Sequence, residues 1–194
     1  MLIILFGLNI PAYAKNASII NGSSNLKQQV YDSLEVNGTL TFTDLTIKES
    51  LIINGKIQGK NLKCRNITSN GSFDVDGFQA QNVKTNGSFK GMNIEITGKS
   101  EFNGALEITN GKLHNIQVVN TLSTLVDTNV SGNINIKIDK GFGVRPSTSS
   151  VQVLELKGNS LVTGDVIFEE EGAVYLFDKS KVQGKIVNAK IIEK

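Results

Sequence analysis

The side chains best suited to chemistry are two carboxylates, Asp74 and Asp76, on either side of Val75. Alternate residues of an extended chain share one side of the strand, so both carboxylates project from the same surface. Such a pair is typical of calcium sites and of general acid–base chemistry, and a second acidic group follows at residues 169–171. The sequence shows no recurring column of carboxylates with lysine or arginine, which a polysaccharide lyase would need. We therefore predict no enzyme activity, no metal and no cofactor.

The single cysteine and the single histidine are predicted to be structural. Cys64 ends the alternating segment Leu62-Lys63-Cys64, which indicates a buried, inward thiol rather than a nucleophile. His114 follows an apolar residue expected to face inward, so we expect its ring at the surface beside a corner of the chain. A lone cysteine also excludes an intramolecular disulfide scaffold, and no nucleotide, zinc or nucleophile-elbow motif occurs.

Carbohydrate chemistry stays open as an alternative. Sugar clefts usually present exposed aromatic rings, but the chain has no Trp, and most of its nine Phe fall at positions expected to face inward. A lateral groove near Arg145, Tyr175 and the pair Asp74 and Asp76 is the best position for a glycan site. These residues are weak groove candidates for carbohydrate binding or polysaccharide degradation.

The elements that must position these side chains follow a repeat. Asn-Gly pairs recur every 16 or 17 residues, with apolar residues at fixed offsets after each pair. The pairs lie at 37–38, 54–55, 70–71, 86–87 and 103–104. Self-similarity at a fixed period is the signature of a repeat protein.

Each repeat alternates apolar and polar residues over three or four positions, as in Leu40-Thr41-Phe42. This pattern predicts short, half-buried strands, and Asn-Gly supplies the positive φ angles of the corners between them. One unit cannot bury its own inner face, so we predict an all-β fold, a single-stranded parallel β-helix with three short strands per coil. The alternative is an antiparallel meander, because Asn-Gly is also a hairpin signal.

The register loosens after residue 120. The segment 139–150 holds Arg145 and Pro146 and is expected to leave the β-helix as a loop. Loops on a rigid scaffold often carry specificity, which makes Phe142 and Arg145 candidates for an interaction surface. A plain bulge without a function is the alternative.

The N-terminal residues differ from the repeats. Residues 1–14 combine an apolar run with a small-x-small site, Ala12-Tyr13-Ala14, which is typical of a signal peptide cleaved before Lys15. The run is too short to span a bilayer, so we expect export to the periplasm or the exterior and no membrane span. Residues 15–35 are expected to form a lead-in and cap, with a short helix within 24–36 or an extended strand instead. The β-helix domain would then occupy 36–194.

Composition excludes a further class of function. The net charge is +2 over 194 residues, so the chain lacks the basic footprint of a nucleic-acid-binding protein. The chain holds 21 Asn and 19 Gly but only 2 Pro, which suits a fold of many corners and uninterrupted strand ladders.

An apolar-x-Gly-x-apolar motif recurs at 53–57, 162–166 and 182–186. It resembles the core of bactofilins, bacterial polymer-forming β-helix proteins, and the resemblance covers about residues 36–190. It implies a right-handed triangular β-helix that assembles end to end through its hydrophobic terminal coils, without a nucleotide. Bactofilins are usually cytosolic or attached to the inner membrane, whereas this chain has an export signal.

These patterns together predict a non-enzymatic exported β-helix protein. Its expected role is a structural or surface-interaction module that associates with itself or with a surface glycan or protein. Two alternatives stay open: a carbohydrate-binding or polysaccharide-degrading protein, and a secreted bacterial virulence factor that binds a host protein through the 139–150 loop.

Overall fold

A computed structural model describes residues 17–120, 122–138 and 151–194, and these form a parallel β-solenoid. Extended chain runs through β1 (Ser18–Asn103) and continues in nine shorter strands. These are β2 (Leu106–Val119), β3 (Leu122–Val126), β4 (Asn129–Val130), β5 (Ile134–Ile136), β6 (Gln152–Lys157), β7 (Leu161–Val162), β8 (Val166–Leu176), β9 (Lys181–Val182) and β10 (Ile186–Glu193). The strands pair in parallel from coil to coil, which confirms the predicted β-helix and excludes the antiparallel meander.

Each coil has three straight stretches, which we name faces A, B and C. In the coil that begins at Gly38, face A is 40–42, face B is 45–47 and face C is 51–53. Five regular coils of 16 or 17 residues lie between Gly22 and Gly104, as the hydrogen bonds between equivalent asparagines show. The later coils are longer, with 32 residues from Asn133 to Asp165 and 20 from Asp165 to Lys185.

Inward side chains of all three faces form one continuous core along the solenoid. Phe73, Phe78 and Phe89 are buried, as the alternation predicted. The rings of Phe73 and Phe89 stack across two adjacent coils, with centroids 5.3 Å apart. Coils that are open on their own therefore bury large apolar groups only by stacking, which is the main source of stability in repeat proteins.

Asparagine and aspartate ladders line the corners. At the corner between faces C and A, each Asn Nδ2 donates to the Oδ1 of the Asn one coil earlier, at 2.8 to 3.1 Å. The members of this C–A ladder are Asn21, Asn37, Asn54, Asn70, Asn86 and Asn103. At the corner between faces A and B, Asn61 donates to Asp44 at 2.7 Å and Asn110 donates to Asn93 at 2.6 Å. The ladders satisfy polar groups at every turn of the chain and hold successive coils in register.

The short helix expected within 24–36 does not form, because β1 already includes these residues. Asn21-Gly22 is a further corner of the series, 16 residues before Asn37. The apolar residues of this segment, including Tyr31 and Leu34, point into the core and stack on the next coil. The extended alternative is therefore correct, and the stacked coils begin ahead of residue 36.

Candidate functional site

The predicted groove residues share one face but lie far apart along the axis. Asp74 and Asp76 project from face A, where Asp76 Oδ1 accepts a hydrogen bond from Asn93 at 2.7 Å and Lys60 lies 3.8 Å from Oδ2. The outward column of Asp74 continues through five coil steps to Tyr175. The residues of this column are Asp74, Lys90, Glu107, Thr124, Glu155 and Tyr175. At about 4.8 Å per coil, the acids and the tyrosine are roughly 24 Å apart, so the structure does not bring them into one site.

Tyr175 belongs instead to a small aromatic patch on face A. Its ring stacks beside that of Phe177, with centroids 6.3 Å apart. The ammonium of Lys194 lies 5.2 Å from the centroid of the Tyr175 ring, and that of Lys157 lies 5.2 Å from the Phe177 ring. Both rings are half-buried by these contacts. The other two predicted interaction residues, Phe142 and Arg145, lie outside the described residues.

Cys64 is buried in face B, as predicted, with 8% of its surface exposed. Its thiol donates to the carbonyl oxygen of Asn66 at 3.1 Å, and burial raises the pKa of the thiol to about 12. The cysteine is therefore protonated and inert at neutral pH.

His114 is exposed on face B, as predicted, and its Nδ1 lies 3.0 Å from Ser131 Oγ. Glu101, on face C, accepts a hydrogen bond from Lys99, and this contact together with the Lys84 ammonium lowers the pKa of the carboxyl group. These contacts hold neighbouring coils together on the surface. Neither residue lies beside a nucleophile.

A groove runs along face B between two columns of outward side chains. It consists of two adjoining cavities of about 490 and 400 Å³ that share Glu95 and Thr97. Its floor is formed by the inward residues of face B, beginning with Cys64 and Ala80. One wall is the column Lys63, Gln79, Glu95, Lys112, Asn129 and Leu161. The other wall is the column Lys48, Arg65, Gln81, Thr97, His114, Ser131 and Thr163.

The C-terminal end of the solenoid leaves core positions open. Ile191 pairs with Val174 in the same inward column, yet Ile191 is 54% exposed whereas Val174 is fully buried. Val182 and Ile186 are half-buried in the same last coil. At the opposite end, Ile19 is 65% exposed. Both ends of the described solenoid therefore present apolar side chains beside an unpaired strand edge.

Within the ranges that the structure describes, no three His, Cys, Asp or Glu side chains are grouped so that they would hold a metal ion. The same ranges contain no helix with the length and apolar character needed to cross a membrane. Comparison with family models, with curated proteins and with solved structures gave no match. The class of protein, a parallel β-solenoid, is defined by the fold itself.

Two features were missed in the sequence. The first coil has a clear signal, because Asn21-Gly22 lies 16 residues before the next pair. The face B groove has no such signal, since its walls combine residues from many coils and the columns emerge only when the inter-coil register is known.

Proposed function

We propose that this protein is a non-enzymatic, exported structural module whose copies stack end to end. The observation that carries the proposal is the open last coil, where Ile191 is 54% exposed in a column that is otherwise buried. An unpaired strand edge beside exposed apolar side chains is a template for another strand. Removal of residues 1–14 by the expected cleavage would leave only residues 15–17 ahead of β1.

The two ends are compatible in direction and register. All coils are parallel, so a second copy adds its first coil to the last coil of the first copy with the same strand direction. The C–A corner column begins at Asn21 and returns to asparagine at Asn188, next to the Ala189–Gly172 pair. Contact between the two different ends is heterologous, and such contacts build open filaments when the rotation does not close. The resemblance to bactofilins, which assemble through their terminal coils, supports the same proposal.

Sedimentation velocity and electron microscopy over a range of concentrations test this proposal. Ile191→Lys places a charge in the apolar end and is expected to shift the protein towards monomer. Met92→Lys is the matched control, because Met92 is 45% exposed on the side of the rod and its substitution adds the same charge. A wild-type protein that stays monomeric at high concentration, or equal association of both variants, contradicts end-to-end stacking.

A further inference from the structure

The face B groove has the dimensions of a site for an extended chain. Its second wall extends from Lys48 to Thr163 through six coil steps, which gives roughly 29 Å at about 4.8 Å per coil. The groove lies on the side of the rod, so stacking at the ends leaves it uncovered. Its direction follows the solenoid axis, and an occupant would lie across successive strands.

The groove walls carry hydrogen-bonding groups suited to hydroxyl-rich ligands. Gln79, Gln81, Thr97, Asn129 and Ser131 present amide and hydroxyl groups from adjacent coils. These groups donate and accept hydrogen bonds, as sugar hydroxyls do. Because they recur with each coil, the groove offers repeated contacts to a repeating polymer.

The charge of the walls is predominantly positive. Lys48 is paired with Asp32 at 3.0 Å, and Arg65 is paired with Glu49 at 3.0 Å. Lys63 and Lys112 stand exposed in the same column, and neither forms an ion pair with any residue that the structure describes. They lie three coil steps apart, and Glu95 beside Lys112 is the only carboxylate in the described lining. Two free ammonium groups on one wall favour an anionic occupant.

We propose that the face B groove binds a linear anionic polysaccharide along the solenoid axis. Single-stranded nucleic acid is disfavoured, because its binding grooves use aromatic rings on which bases stack and the described lining contains none. An extended peptide is disfavoured as well, since peptides add to a sheet through a free strand edge and face B presents paired strands. The proposal does not depend on end-to-end stacking, and each can fail without the other.

The test measures binding of the purified protein to immobilised polygalacturonate, alginate, hyaluronate and chondroitin sulfate. Fully methyl-esterified polygalacturonate is the neutral control with the same backbone, and oligothymidylate serves as a competing polyanion. Lys63→Gln/Lys112→Gln removes the two free charges of the groove. Lys56→Gln/Lys185→Gln makes the same change of charge at exposed lysines outside the described lining. Glu95→Gln removes the carboxylate between the two groove lysines.

We expect at least one anionic polymer to bind and the methyl ester not to bind. Lys63→Gln/Lys112→Gln should weaken binding by about fivefold or more, Glu95→Gln should strengthen it about twofold, and the control pair should stay within about twofold of wild type. Circular dichroism and thermal unfolding confirm that each variant is folded. Three results overturn the proposal: no binding to any of the four polymers, an equal loss in both lysine pairs, or equally tight binding of oligothymidylate.

Discussion

Single inward side chains hold adjacent coils together, and Phe73 is a central example. Its ring is 1% exposed and contacts Phe78 and Phe89 with centroid distances of 5.6 and 5.3 Å. Phe73→Ala should lower the free energy of unfolding by about 3–5 kcal/mol, because the cavity spans the contact between coils. Lys56→Ala, at an exposed position, should change it by less than about 0.5 kcal/mol. Urea unfolding of both variants measures the difference, and equal effects would contradict the inward assignment.

Some residues in the core lack a polar partner. Thr85 is fully buried, and its Oγ1 has no hydrogen-bond partner among the described residues. Thr85→Val keeps the shape and removes an unsatisfied hydroxyl, so it should raise the free energy of unfolding by about 1 kcal/mol. Thr43→Val at an exposed site is the control, with an expected change below about 0.5 kcal/mol. A destabilised Thr85→Val variant in urea unfolding would show that this hydroxyl is bonded in the folded protein.

The Cys64 thiol gives a prediction that depends on pH. Burial raises its pKa from 9.0 to about 12, so at pH 8 the thiolate fraction is about a thousandfold below that of an ordinary cysteine. Iodoacetamide should therefore label the native protein at least a thousandfold more slowly than the urea-unfolded chain. A Thr41→Cys variant supplies an exposed thiol on face A as a positive control. Rapid labelling of Cys64 in the native wild type would show that the face B floor opens.

The corner between faces C and A is the element that sets the coil repeat. Gly71 has φ +142°, and a Cβ there would meet the carbonyl oxygen of Gly55 in the coil before. Gly22 also has positive φ, at +92°, but a Cβ there has no atom within 4 Å. Both positions disfavour side chains by conformation, whereas only Gly71 is confined by a neighbouring coil.

Alanine at these two glycines separates the contributions. Gly71→Ala should lower the free energy of unfolding by about 3 kcal/mol or more, through strain and the clash together. Gly22→Ala should lower it by about 1 kcal/mol, through strain alone. Thermal and urea unfolding provide the comparison. Similar losses at both positions would indicate that the coils do not approach each other closely at this corner.

At the scale of elements, the sequence predicted the solenoid because the period and the inward positions are written locally. Asn70-Gly71 and Phe73 show the corner and the first inward residue without reference to any other coil. The misread segment 24–36 satisfies two patterns, since Leu26, Val30 and Leu34 fit a helical spacing while most of the segment also fits a coil. Stacking on the coil that begins at Gly38 decides in favour of the strand, because it buries Tyr31 and Leu34.

The groove was beyond prediction for a different reason. Lys48 and Ser131 lie 83 residues apart in the chain but belong to one wall of face B. That relation depends on the register of every coil between them, including the 17-residue steps. The predicted pair Asp74 and Asp76 was placed correctly on one side of a strand, yet its separation from Tyr175 follows from the number of coils between them.

At the scale of the whole molecule, the central claim is that copies join through unlike ends. Asn188 and Asn21 belong to the same corner column at opposite ends of the rod, so stacking would bring them one coil step apart. A step of about 4.8 Å is within the Cα separation that a disulfide spans. Cysteines at these two positions would therefore report the contact directly, while buried Cys64 stays silent.

The decisive measurement is disulfide formation on mild oxidation of an equimolar mixture of Asn21→Cys and Asn188→Cys proteins. End-to-end stacking predicts covalent dimers that contain one copy of each variant, and little cross-linking of either variant alone. The doubly substituted chain should give a ladder of longer multimers. No cross-linking in the mixture, or equal cross-linking in the separate variants, would contradict the claim.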